Sequence, residues 1–105
     1  MEIFAITTTT DSEQNAGEIA KALVDERLVA CAQVEGPIRS FYRWQGNLED
    51  SQEWRVLAKT KSEAVEQAVF RIKELHQYDV PAILVDSKQS VNEDYSKWFI
   101  ESVSD

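Results

Sequence analysis

A chain of 105 residues with 43% hydrophobic content and a net charge of −8 has room for one domain built on one core, residues 1–105. The acidic balance excludes the basic surface that nucleic acid requires, and no apolar run approaches the ~20 residues of a membrane span. A single cysteine excludes an internal disulfide and a thiolate zinc knuckle.

The opening MEIFAITTTT lacks the basic and long apolar regions of a secretory signal, so a cytoplasmic protein is expected. Within it, EIFAITTTT (2–10) is β-branched and aromatic and predicts a strand. Asp11 with Gln14 three positions on suggests a capping box. Ala16, Ile19, Ala20, Leu23 and Val24 then recur at helical spacing, predicting a helix over 12–27. LVACAQV (28–34) predicts a buried strand, which Gly36 and Pro37 interrupt before IRSFYRW (38–44) resumes. Gln45, Gly46 and Asn47 form a turn, and WRVLAKT (54–60) returns as the partner strand. Thr60 and Glu63 suggest a second capping box, before an apolar stripe of Val65, Ala68, Val69, Ile72 and Leu75 that predicts a helix ending near His76. Pro81 forbids continuation, and AILVD (82–86) reads as a short buried strand. Asn92 caps a last helix, with Glu93 and Asp94 in its first turn and Tyr95, Trp98 and Phe99 on its apolar side.

The order β-α-β-β-α-β plus a terminal helix predicts an α+β, ferredoxin-like antiparallel sheet with a long hairpin between its second and third strands. Two helices cover one face. Side chains alternate along a strand, so Phe41 and Arg43 oppose Tyr42 and Trp44, and Trp54, Val56 and Ala58 oppose Arg55, Leu57 and Lys59. Large apolar groups on both faces imply an exposed patch, and hence a homo-oligomer with Tyr42, Trp44 and Trp54 at its interface.

ALVDERLVACAQV (22–34), FYRWQG (41–46), EWRVLAKT (53–60), LHQYDVPAI (75–83) and YSKWF (95–99) resemble, in the same order, successive motifs of the CutA divalent-ion tolerance family. The resemblance implies a cytoplasmic homotrimer assembled through the hairpins and linked to tolerance of copper and other divalent metals. It implies no established reaction and no required cofactor, with copper or another divalent ion as the candidate ligand. Gln77 and Ala82 depart from the proline and glutamate usual in the family; losing that glutamate removes a hard oxygen donor from any cation site there.

Several residues carry both a structural and a chemical reading. His76, the one histidine, can close its helix as an imidazolium, ligate a metal with help from Asp79 or another subunit, or accept a phosphoryl group. Cys31 reads as a small buried hydrophobe or as a soft Cu(I) ligand. Lys59, Tyr78 and Trp44 are candidates for a ligand pocket between subunits of the kind used by trimeric PII-type sensors, against the simpler readings of a snorkelling lysine and core or interface aromatics. Asp86 and Asp94 read as pocket members or plain caps. No catalytic constellation emerges, so an enzyme is not expected.

Overall fold

The computed structural model describes residues 1–104. In chain order it contains β1 (Glu2–Thr10), α1 (Glu13–Asp25), β2 (Cys31–Trp44), β3 (Asn47–Thr60), a 3₁₀ turn (Ser62–Ala64), α2 (Val65–Leu75), β4 (Ile83–Gln89) and α3 (Glu93–Ser102). The strands form one antiparallel sheet in the order β2-β3-β1-β4, the ferredoxin-like arrangement expected.

The apolar stripes of α1 and α2 do what their spacing predicts. Ala16, Ile19, Ala20 and Leu23 of α1, with Ala68 and Ile72 of α2, pack against Ile6, Val56 and Ala58 of the sheet. Val24 falls outside that stripe and is exposed. The alternation places Ile3, Ala5, Cys31, Leu57 and Lys59 on the opposite face. There α3 covers one end: Phe99 is fully buried with Ile3 and Val103.

Several local expectations are corrected. Ser12, not Asp11, caps α1; its Oγ accepts from the Asn15 N–H at 3.1 Å, while the Asp11 carboxylate is occupied by Gln77. Thr60 builds no capping box, because its hydroxyl donates to the Leu28 carbonyl (2.7 Å), and neither Lys61 nor Ala64 caps with a side chain. Asn92 does cap α3, accepting from Asp94 and Tyr95.

The expected strand over 28–34 starts only at Cys31, and it runs on through Gly36 and Pro37 to Trp44 with a bulge between Glu35 and Ile38. Proline is tolerated because β2 is an edge strand, where a missing N–H removes no ladder bond. β3 begins at Asn47, not Trp54, so the hairpin is 14 residues on each side. β4 is not buried: it forms the other edge, and Leu84 stays 67% exposed.

Candidate functional site

A polar constellation lies where the segment between α2 and β4 folds back over the end of β1 and the middle of β3. Its anchor is Asn15 in the first turn of α1. The Asn15 Oδ1 accepts from the Thr10 hydroxyl (2.9 Å) and the Gln77 N–H (3.4 Å), and its Nδ2 donates to the Leu75 carbonyl (3.1 Å). One buried amide thus joins β1, α1 and the end of α2. Further on, the Thr8 hydroxyl donates to the Ala82 carbonyl at 2.7 Å, which ties the segment down just before β4.

Between those ties sit His76 and Tyr78. His76 is the residue at which α2 stops; its N–H donates to the Ile72 carbonyl. The residue is 8% exposed, and its ring lies 2.9 Å by Nε2 from the Thr9 carbonyl and 3.0 Å by Nδ1 from the Tyr78 N–H. A backbone carbonyl only accepts and a backbone N–H only donates, so Nε2 carries the proton and Nδ1 is the acceptor. This is a neutral imidazole. Burial pushes its pKa below the usual histidine value, against the opposing pull of the Thr9 carbonyl and the Glu53 and Asp11 carboxylates.

Tyr78 packs its ring 5.0 Å from the His76 ring and donates its hydroxyl to the Glu53 carboxylate at 2.8 Å. Glu53 is only 5% exposed. Burial, and then the bond to Glu53, push the Tyr78 phenol well above the ordinary tyrosine range. Beyond Glu53 on the same face, the Ser51 hydroxyl donates to the Tyr42 phenol at 3.3 Å.

His76 closes α2 where expected, but the reading of an imidazolium holding that helix's carbonyls is corrected: the ring is neutral and its partners belong to β1 and the following loop. Both ring nitrogens are committed here, so a metal or phosphoryl group would have to displace the Tyr78 N–H from Nδ1.

Cys31 is half-buried at the start of β2, beside the Tyr95 phenol of α3, whose pKa is raised by burial and then by the thiol. It pairs with Lys59, which pairs with Ala5, whereas His76 is held at Thr9. Four residues of β1 separate the two positions, about 13 Å along the strand at ~3.3 Å per residue. One chain therefore does not bring Cys31 and His76 together. Among the described residues, no group of three or more His, Cys, Asp or Glu side chains could hold a metal ion.

The expected pocket residues are also spread out. Trp44 lies at the hairpin tip opposite Asn47, Tyr78 is held at Glu53, and Lys59 is near the far end of β3. At ~3.3 Å per residue, Trp44 and Lys59 are each about 20 Å from the Tyr78 contact. Asp86 shares the cross-strand row of Ala5, Lys59 and Cys31, while Asp94 sits in the first turn of α3. Tyr42 and Trp44 are exposed on the hairpin. Trp54, expected at a subunit interface, is partly buried and packs against this chain's own core, over Gly36.

Residues 4–102 match the family model described as CutA1 divalent ion tolerance protein. The chain belongs to that family. A divalent-cation tolerance protein CutA from Pyrococcus horikoshii is 45% identical over 94 residues, covering 90% of this chain and 91% of its own. The solved Cut A1 structure from Thermus thermophilus superposes with a TM-score of 0.90 at 39% identity, over 99% of this chain and 100% of that one. A CutA structure from Archaeoglobus fulgidus, described as periplasmic, gives 0.90 at 32% identity, over 99% and 100%.

Within this CutA chain, sequence reasoning assigned no role to Glu53 or Asn15. Glu53 stands in a polar stretch at what looked like the outer end of a strand. Only the return of residues 76–78 buries it.

Proposed function

We propose that this CutA protein works as a homotrimer in divalent-metal tolerance, with copper as its metal, taking cations between copies and performing no catalysis. The observation that carries the reading is the hairpin. β2 and β3 present Phe41, Tyr42, Trp44 and Leu48 to solvent, with Phe41 59% and Leu48 68% exposed. Exposed apolar groups on both faces of the hairpin, Phe41 and Leu48 on one and Tyr42 and Trp44 on the other, mark an interface. The hairpin is stiffened for that use: Arg39 forks onto Asp50 at 2.8–2.9 Å and lies 4.9 Å over the Phe41 ring.

The cation reading rests on family membership and on the spacing of the donors. Cys31, the one thiol, lacks a nearby histidine in its own chain, so a copper site needs ligands from a second copy. The decisive experiment pairs sedimentation equilibrium with Cu(I) and Cu(II) titration of metal-stripped protein, Cys31→Ser alongside. Three copies per particle, with saturable binding at a whole-number ratio that is weakened by the substitution, are expected. A monomer at micromolar concentration would remove the trimer. Non-saturating heat identical in both proteins would remove the metal site and turn the search to an organic ligand between subunits, the PII-like alternative.

The cytoplasm is the compartment proposed, against the periplasmic description of the A. fulgidus relative. Fractionation of the native organism, with the chain following a cytosolic marker, is the expected result.

A further inference from the structure

We propose that His76 is an acid-sensitive latch on the segment joining α2 to β4, holding Tyr78 against Glu53 while its ring is neutral and releasing it when Nδ1 takes up a proton. The inference stands on the geometry of the ring and is independent of what the protein binds.

The neutral ring is one donor and one acceptor between an obligate acceptor, the Thr9 carbonyl, and an obligate donor, the Tyr78 N–H. Protonation leaves the Nε2 bond intact. At Nδ1 it sets one N–H against another at 3.0 Å, so the Tyr78 backbone must move.

The surroundings supply an alternative arrangement. The charged groups facing the ring are Glu53 from β3 and Asp11 from the end of β1, and the Tyr78 ring packs beside it. An imidazolium carries two donors, and Glu53 is an acceptor already in use by the Tyr78 hydroxyl. The protonated ring is attracted by the same carboxylate that holds Tyr78. The clash at Nδ1 displaces the Tyr78 backbone and so strains the hold of its hydroxyl on Glu53.

The other ties confine the movement. Asn15 keeps hold of Leu75 and Gln77, and Thr8 keeps hold of Ala82, so residues 78–81 can shift without unravelling α2 or β4. Below neutral pH the exposed face at the base of the hairpin thus changes shape, with Tyr78 leaving the row that contains Glu53, Ser51 and Tyr42.

Because the chain has one histidine, the test needs no assignment ambiguity. Ring ¹⁵N and ¹³C shifts of the wild-type protein are followed against pH, together with the Tyr78 amide signal and its hydrogen-exchange protection. The expected result is the Nε2–H tautomer at neutral pH, a midpoint below the usual 6.5, and a Tyr78 amide that moves with the same midpoint. Its protection should drop by about tenfold, the order expected for one lost hydrogen bond. An Nδ1–H tautomer, a midpoint at or above 6.5, or a Tyr78 amide indifferent to the ring's titration would overturn the latch. His76→Gln, which cannot titrate, should abolish the coupled step. If that variant fails to fold, the wild-type titration decides alone.

Discussion

The three glycines of this chain form a natural series, because alanine meets three different surroundings at them. At Gly36 an added Cβ would lie 2.5 Å from Trp54 Cδ1, 2.9 Å from Cγ and 3.1 Å from the Glu53 carbonyl oxygen. Trp54 cannot easily retreat, since it packs against the core formed by α1, α2 and the sheet. Overpacking of this kind costs about 1–3 kcal/mol, and the glycine-favouring φ of 157° adds about 1–2 kcal/mol. Gly36→Ala should therefore destabilise by about 4 kcal/mol, a large part of the roughly 5–15 kcal/mol available to a domain of this size. Gly46 has a φ of 82° in the hairpin turn and nothing within 4 Å of an added Cβ, so its alanine variant loses only the backbone term, about 1 kcal/mol. Gly17 lies within α1 with open space around it, and Gly17→Ala should stabilise by about 1 kcal/mol. The assay is urea denaturation at one fixed protomer concentration, because association would make apparent stability concentration-dependent. The reasoning fails if Gly36→Ala is tolerated as well as Gly46→Ala, or if Gly17→Ala weakens the protein.

Tyr78→Phe removes the hydroxyl donated to buried Glu53 and should cost about 2 kcal/mol in the same assay, more than an exposed phenol would. Asn15→Ala strands the Thr10, Leu75 and Gln77 groups together, for about 3 kcal/mol at roughly 1 kcal/mol per bond, with loss of amide protection at Gln77. Ser12→Ala should cost about 1 kcal/mol as a lost helix cap, and a larger effect from Asp11→Ala would reverse the capping assignment. The His76 pKa is lowered in the folded protein, so the unfolded chain binds more protons just below 6.5; the contribution is complete above that value and lost as pH falls toward the folded pKa. Denaturation midpoints of wild type should accordingly fall faster than those of His76→Gln on acidification below pH 6.5, and parallel curves would contradict this sign.

The local patterns carried much of the fold. Apolar spacing alone placed the cores of α1 and α2, because a 3.6-residue period leaves one face to bury whatever it meets. Asn92 announced α3, since a cap bonds within its own turn. The order of elements then implied the sheet.

What depended on distant contacts was not legible. AILVD is apolar enough for a central strand, yet β4 lies at an edge, and edge position is a property of the whole sheet. The polar stretch 47–53 joined β3 because β2 was there to pair with it through Gly36 and Pro37. Cys31 and His76 both looked like metal ligands by residue type, but register set them at the levels of Ala5 and Thr9, four residues apart along β1. The charge state of His76 was decided last of all, by a carbonyl 67 residues away and an N–H two residues on. A side chain's type determines which bonds it can make, and only the packed structure selects which of those groups stand within 3 Å of it.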